Sequence, residues 1–215
     1  MIYLHHLERS RADRIVWLLE ELKLDYDIIH YKRDEKTSGS PESLKKVHPL
    51  GKSPVITDGE LTVAESGAII EYLIDTYDNE NRLRPSEGQA LLDYRYWLHF
   101  AEGSLMPLLV MWFVLNISLE KPIPFFIKPI IKKYVEAINR YFIAPRLQPQ
   151  LALVDTHLSK NDWFAGDSLS GADIQMVLAL QFAKSRTDMS PFTAITRYLD
   201  KIEKMDTYIQ SVEKS

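Results

Sequence analysis

The 215-residue sequence contains no cysteine. This absence excludes disulfide scaffolds, thiolate zinc sites, iron–sulfur clusters and every mechanism in which a cysteine of the chain is the nucleophile. The chain is nevertheless long enough to bury a stable core without such cross-links, either as one large domain or as two small ones.

A large excess of one charge is also absent, because 26 basic and 30 acidic residues leave a net charge of −4. This balance predicts no broad basic surface for nucleic acid or for an anionic membrane. The short basic stretch Lys128–Lys133 is interpreted as the solvated face of a helix. The six histidines are scattered apart from the adjacent His5 and His6, and they show no metal-ligand spacing, so we predict no metal site.

The sequence also lacks a long apolar run. The first residues contain no apolar core of signal-peptide length, and the longest apolar stretch, Leu105–Ile117, is shorter than the ~20 residues that a membrane-spanning helix needs. Pro107 interrupts this stretch. The pattern therefore favours a buried helix over insertion into a membrane, and it predicts a cytoplasmic protein.

The first part of the chain alternates between strand and helix patterns. A helical crossover makes the first two strands parallel, and the Asp58–Gly59 turn predicts an antiparallel hairpin. The expected result is a mixed four-stranded sheet with helices on its faces, the layout of a thioredoxin-like α/β domain. The predicted elements are a strand at Ile2–His6, a helix from Ser10, a strand at Tyr26–Tyr31, a short helix ending near Val47, strands at Pro54–Thr57 and Glu60–Val63, and a helix from Ser66.

The rest of the chain follows helical periodicity after a polar linker. We therefore predict a thioredoxin-like domain at residues 1–79, a linker at 80–87 and an all-α domain at 88–215. The predicted helices of the second domain are Gly88–Ser118, a segment Ile130–Ser159 bent or interrupted at Pro145 and Pro149, a helix that begins with a capping box at Ser170–Asp173, and a last helix Thr196–Val212.

Four segments carry a more specific pattern: Ser10–Leu22, His48–Ile56, Glu65–Leu73 and Ser170–Ile174. In their order and spacing they resemble the cytosolic glutathione transferase family, and together they span nearly the whole chain. The resemblance is closest to the serine-type bacterial and fungal members, in which a serine near the first helix replaces the tyrosine of mammalian classes. It implies a cytoplasmic, homodimeric detoxification enzyme that uses glutathione as co-substrate and needs no metal.

The resemblance places the glutathione site in the first domain. Ser66 begins a predicted helix, where free N–H groups and the helix dipole favour the γ-glutamyl carboxylate, and Glu65 can pair with the neighbouring ammonium. A helix-capping serine preceded by a surface acid is the alternative interpretation. The family has a cis peptide at the position of Ser53–Pro54, whose backbone could pair with glutathione, and Lys52 offers a cation for its glycine carboxylate.

Ser10 is the catalytic candidate, as the donor of a hydrogen bond to the glutathione sulfur beside the first helix. Its structural alternative is a helix cap, with Asp13 completing a capping box. Arg11, His6 or a backbone N–H could assist or replace it, whereas Tyr3 is interpreted as a core or sheet residue. Asp173 is expected to organise the fold, and a lone loop histidine such as His48 is more often structural.

The electrophile is expected to bind an apolar pocket between the second domain and the first loop. An apolar stripe at helical spacing is more often core than pocket, so only one face of this helix can contribute. Some family members also reduce hydroperoxides, and others bind hydrophobic ligands or partner proteins without turnover, so a non-catalytic binding protein is the alternative function. The pocket candidates are Met106, Leu109, Trp112 and Phe113.

Overall fold

The computed structural model describes residues 1–120, 122 and 124–215. Within these residues the strands form one four-stranded sheet in the order β2-β1-β3-β4. Strand β1 pairs in parallel with β2 and antiparallel with β3, which forms the hairpin with β4, so the predicted mixed sheet is confirmed. The elements of this part are β1 (Ile2–Leu7), α1 (Asp13–Glu21), β2 (Tyr26–Tyr31), α2 (Glu42–Val47), β3 (Val55–Asp58), β4 (Leu61–Ala64) and α3 (Ser66–Tyr77).

Helix α1 begins at Asp13, so the predicted start at Ser10 was wrong. Ser10 instead stabilises the turn before the helix, because its Oγ accepts a hydrogen bond from the backbone N–H of Ala12 at 3.2 Å. The predicted capping box is replaced by another contact, since Asp13 Oδ1 lies 2.7 Å from Nε2 of His6. The turn leaves Ser10 on the loop between β1 and α1 rather than inside the helix.

The second part of the chain is helical. A π-helical turn at Ala101–Leu105 joins its first two helices, and a second at Asn139–Ile143 joins the next two, so each pair runs on as one long helix. Pro107 and Pro145 lie in the first turn after each π-helical turn, where the hydrogen-bonding pattern changes and a missing N–H costs least. The helices are α4 (Gly88–Phe100), α5 (Met106–Ser118), α6 (Lys128–Ile138), α7 (Ala144–Lys160), α8 (Gly171–Lys184), α9 (Thr193–Ile202) and α10 (Asp206–Lys214).

The predicted last helix, Thr196–Val212, was wrong because the chain breaks there into α9 and α10. The backbone of Met205 is extended, with ψ of 132°, and it turns α10 back onto α1. The rings of Trp17 and Tyr208 meet edge to face at a centroid distance of 5.3 Å. Packing of α10 against α1 therefore overrides a helical periodicity that continues through the break.

The helix Gly88–Ser118 is continuous and longer than the apolar run Leu105–Ile117, which by itself is too short to span a membrane. Among the described residues it is the one helix long and apolar enough to cross a membrane by length and composition, because Pro107 does not interrupt it. A third of its most apolar window is buried in the fold. The core helix of a soluble protein meets the same criterion, and here α4 packs against α8.

Helix α8 connects the two parts of the chain. The predicted capping box is confirmed: the buried carboxylate of Asp173 accepts hydrogen bonds from the backbone N–H and hydroxyl of Ser170, and also from Phe164 N and Tyr198 Oη. Burial raises the pKa of Asp173 despite these donors. Asp173 thus ties the start of α8 to the preceding loop and to α9, as expected of a residue that organises the fold.

Candidate active site

Ser10 and Ser53 meet at the end of β1. Ser10 Oγ donates to Ser53 Oγ at 3.1 Å, and Ser53 Oγ donates in turn to the carbonyl oxygen of His5 at 2.8 Å. The backbone N–H of Leu7 also donates to Ser53 Oγ, at 3.1 Å. Ser53 precedes Pro54 through a cis peptide bond, which is the conformation that the family resemblance implies. The loop before β3 and the loop before α1 are therefore held together by two serine hydroxyls.

Ser66 lies at the first position of α3 and is buried. Its Oγ accepts hydrogen bonds from Gln175 Nε2 at 3.3 Å and from Arg14 Nη1 at 3.5 Å. Because both neighbours are donors, the hydroxyl hydrogen of Ser66 remains available to an acceptor at the helix N-terminus. Glu65, which precedes it, is exposed and has a φ of 73°, a left-handed conformation that costs a non-glycine residue about 1–2 kcal/mol.

Arg14 is the buried centre of a polar network that connects both parts of the chain. Its residue is 3% exposed, and Nη1 donates to Glu102 Oε1 at 2.8 Å and to Gln175 Oε1 at 2.6 Å. Glu102 Oε2 also binds Arg11 Nε at 3.0 Å. Burial lowers the pKa of the Arg14 guanidinium to about 10, and Glu102 acts against that shift, so the side chain stays charged at neutral pH.

The sequence reasoning missed the roles of Arg14, Glu102 and Gln175. One signal was present: Arg14 lies three and four residues before Trp17 and Leu18, on a helix face that is otherwise buried. A charged residue on such a face requires a partner. Its partners lie 88 and 161 residues further along the chain, however, and nothing in local periodicity identifies them.

The remaining polar candidates are more dispersed. Lys52 is exposed beside the cis peptide bond, and Arg11 is half-buried against Glu102. His6 is buried, with Nε2 against Asp13 and its ring 5.4 Å from that of His30, so it does not face Ser10 in these contacts. Tyr3 belongs to β1, as expected of a sheet residue, but its side chain is exposed rather than in the core.

The four apolar candidates on α5 separate into two pairs. Met106 and Leu109 are buried in the core. Trp112 and Phe113 are half-buried and line an open groove of about 380 Å³, with Arg186 at its edge. The Arg186 guanidinium lies 5.1 Å from the centroid of the Phe113 ring. A groove of this size matches the lower range of small-molecule sites.

A second cavity, of about 120 Å³, lies between α1, α8 and α10. Arg14 and Trp17 form its α1 side, and Tyr208 and Val212 form its α10 side. Within residues 1–120, 122 and 124–215, no group of three or more histidine, aspartate or glutamate side chains is arranged to hold a metal ion.

Comparison with known proteins identifies two family models in the chain. The model described as the glutathione S-transferase N-terminal domain matches residues 1–75, and the model for the C-terminal domain of the same family matches residues 143–206. The residues that the first model matches include Ser10, Ser53 and Ser66, and those that the second matches include Gln175.

Individual relatives cover nearly the whole chain. Glutathione S-transferase 3 of Schizosaccharomyces pombe is 37% identical over 201 residues, covering 93% of this chain and 81% of that protein. Glutathione S-transferase 1 of Saccharomyces cerevisiae is 35% identical over 224 residues, covering 100% and 95%. Among solved structures, a glutathione S-transferase from Actinobacillus pleuropneumoniae matches with a TM-score of 0.79 and 36% identity, covering 100% of this chain and 92% of that one.

Proposed function

The chain belongs to the glutathione S-transferase family and is a glutathione transferase, and from this premise we propose that Ser10 activates the thiol of bound glutathione for attack on hydrophobic electrophiles. The observation that carries the proposal is the arrangement around the first turns of α1. Ser10 lies in the loop before this helix and donates a hydrogen bond to Ser53, and Arg14 within the helix reaches Ser66. Candidate groups for the thiol, the cysteinyl backbone and the γ-glutamyl end are thus connected through one helix.

Activation of the thiol requires stabilisation of the thiolate. A thiol pKa of ~8.5 must fall by about 2 units for the thiolate to dominate at neutral pH, which corresponds to roughly 2.7 kcal/mol. The Ser10 hydroxyl, which donates to Ser53 in the free protein, can rotate its hydrogen toward a sulfur atom and supply part of this free energy. Arg11, positioned by Glu102, adds positive charge next to Ser10.

Recognition of glutathione follows from the same residues. The N-terminus of α3 and the free hydrogen of Ser66 suit the γ-glutamyl carboxylate, and Glu65, the residue before Ser66, is proposed to pair with the neighbouring ammonium. The backbone groups of Ser53, before Pro54, suit the cysteinyl part as a short antiparallel strand. Lys52 is the exposed cation proposed for the glycine carboxylate.

The electrophile site is proposed at the groove beside Trp112 and Phe113, with Met106 and Leu109 supporting it from the core. Aromatic side chains tolerate varied apolar shapes, which suits an enzyme for hydrophobic electrophiles. In this proposal residues 1–79 form the glutathione-binding domain, residues 88–215 hold the electrophile, and residues 80–87 connect the two. The associated role is detoxification in the cytoplasm.

A peroxidase side reaction is proposed for the same thiolate. The thiolate sulfur attacks a hydroperoxide oxygen and the O–O bond breaks, which leaves a glutathione sulfenic acid and an alkoxide that takes a proton from water to become the alcohol. A second glutathione then displaces water to form the glutathione disulfide. The second thiol must be external, because the chain has no cysteine of its own.

We also propose that the protein is a homodimer. Leu92 and Tyr96, four residues apart on α4, are exposed on one face of that helix, and Leu61 is exposed on the edge strand β4. Apolar side chains in these positions are suited to a second copy. Light scattering of the wild-type protein measures the dimer mass directly, and Tyr96→Glu is expected to shift it toward the monomer.

The activity is tested with immobilised glutathione and a generic aryl halide. We expect the protein to be retained on the resin, to elute with free glutathione, and to accelerate conjugation of the halide. Retention without turnover would instead favour the alternative of a non-catalytic binding protein on this fold. Absence of both would contradict the proposed glutathione site.

A further inference from the structure

The turn before α6 exposes two adjacent phenylalanine rings. Phe125 is 86% exposed and Phe126 is 65% exposed, and the two rings pack edge to face with centroids 5.6 Å apart. The turn is ordered by hydrogen bonds from the backbone N–H groups of Ile127 and Lys128 to the carbonyl oxygen of Pro124. Two rings so placed bury little of their apolar area in the fold.

Helix α6 continues this apolar surface. Ile130 is 68% exposed and Tyr134 is 65% exposed, and their spacing of four residues places them on the same helix face. The adjoining face of the helix is attached to the core, because Val135 is buried and Ile138 packs against the core. The packing of α6 against the core therefore leaves the large apolar side chains of Ile130 and Tyr134 mostly exposed.

The segment that carries these side chains is positively charged. Residues 124–142 contain four basic residues and one acidic residue, a net charge of +3 in a chain whose net charge is −4. Lys128, Lys132 and Lys133 are all exposed, and Lys132 Nζ lies 3.9 Å from the single acid, Glu136. The aromatic–lysine surface is defined here as Phe125, Phe126, Lys128, Ile130, Lys132, Lys133 and Tyr134.

We propose that the aromatic–lysine surface docks the protein onto the surface of an anionic membrane. Aromatic and branched side chains that partition into the interface, together with lysines that meet anionic headgroups, are the chemistry of a peripheral membrane contact. This contact lies on the bilayer and does not span it. It departs from the interpretation of Lys128–Lys133 as a solvated face, because the sequence pattern alone did not indicate how far the phenylalanines project.

A second copy of the chain fits this surface less well. A symmetric contact would bring the three lysines of one copy toward those of the other, and it would repeat a charge of +3 across the interface. An anionic membrane offers both an apolar layer and the opposite charge. The charge pattern therefore favours lipid over self-association.

The test is co-sedimentation of the full chain with vesicles of phosphatidylcholine alone and with vesicles in which about a third of the lipid is phosphatidylserine. We expect about tenfold more protein to sediment with the anionic vesicles, and this difference to fall as salt rises. Both Phe125→Ser/Phe126→Ser and Lys132→Glu/Lys133→Glu are expected to abolish it. Lys160→Glu/Lys204→Glu, which changes the net charge equally at exposed sites outside the surface, is the matched control.

Transferase activity and light scattering accompany each variant. The proposal is supported if the two surface variants lose vesicle binding while they keep activity and mass, and if the control still binds. It is overturned if the wild-type protein ignores anionic vesicles, or if the control loses as much binding as Lys132→Glu/Lys133→Glu. A change of mass in Phe125→Ser/Phe126→Ser without an effect on vesicle binding would identify a self-association surface instead.

Discussion

The hydroxyl of Ser10 donates a hydrogen bond to the hydroxyl of Ser53 across 3.1 Å, although 43 residues separate them in the chain. Ser53 is held in turn by the backbone of Leu7 and His5 at the end of β1. The proposed thiol donor is therefore positioned by the loop whose backbone is proposed to bind the cysteinyl part of glutathione. We therefore expect glutathione binding and thiol activation to depend on neighbouring residues, so that a substitution can impair one without the other.

The first prediction concerns Ser10→Ala. Loss of the hydroxyl donor is expected to raise the thiol pKa of bound glutathione and to change its Kd little, because the groups proposed to bind the peptide remain. Ultraviolet titration of the thiolate in the complex measures that pKa.

Ser53→Ala is the matched control: it keeps the Ser10 hydroxyl but leaves Leu7 N–H without its partner, so it should lower stability by about 1–3 kcal/mol. An unchanged thiol pKa in Ser10→Ala would direct attention to Arg11, His6 or a backbone N–H.

The second prediction concerns Ser66→Ala. The variant removes the free hydroxyl hydrogen at the start of α3, and a hydrogen bond to a carboxylate contributes about 1.5 kcal/mol or more. The Kd for glutathione is therefore expected to rise at least about tenfold, with the thiol pKa of the residual complex unchanged. Calorimetric titration measures the Kd. Equal affinity in the variant and the wild-type protein would remove Ser66 from the glutathione site.

The third prediction concerns the pair Arg14 and Glu102. Glu102→Ala leaves the buried guanidinium with less compensation and is expected to lower the free energy of unfolding by about 3 kcal/mol. The double variant Arg14→Met/Glu102→Ala removes the buried charge as well, so it should be less destabilised than the sum of the two single variants. Urea denaturation measures all four proteins. Strict additivity of the single effects would show that the two side chains do not stabilise each other.

The fourth prediction separates the two pairs of apolar candidates on α5. Phe113→Ala is expected to raise the KM for an aryl electrophile several-fold without changing the KM for glutathione, because Phe113 lines the open groove. Leu109→Ala is expected to lower stability by about 2–5 kcal/mol, because Leu109 is fully buried. Steady-state kinetics and thermal denaturation together measure both effects. An unchanged electrophile KM in Phe113→Ala would place the electrophile elsewhere.

The fifth prediction concerns pH and His5. Burial lowers the pKa of His5 below its ordinary value of 6.5, and the ring contacts Tyr31 Oη and Thr57 Oγ1 at 2.9 and 3.3 Å. The unfolded chain therefore binds this proton more readily, so stability contributed by neutral His5 is present above pH 6.5 and is lost as the pH falls below it. His5→Gln should show a flatter decrease of the unfolding free energy on acidification. Parallel curves for the two proteins would exclude His5 as a source of acid sensitivity.

Local sequence was sufficient for most of the fold. The crossover between the first two strands and the turn after Asp58 determined the mixed sheet, because chain connectivity dictates strand direction. The helix start at Ser10 was wrong because a serine that stabilises a turn has the same sequence signal as a helix cap. The break before α10 was missed because packing on Trp17, rather than a proline or glycine, determines it.

The sequence by itself determined that any sulfur chemistry must use an external thiol, and it identified the serines at positions 10, 53 and 66. Only the tertiary structure decided that Arg14, Glu102 and Gln175 form one polar network beside Ser66, since their distances depend on how α1, the π-helical turn Ala101–Leu105 and α8 pack. The same packing decided which residues of α5 face the core and which face the groove. Local propensity acts over a few residues, whereas a buried charge selects its partners after distant helices have come together.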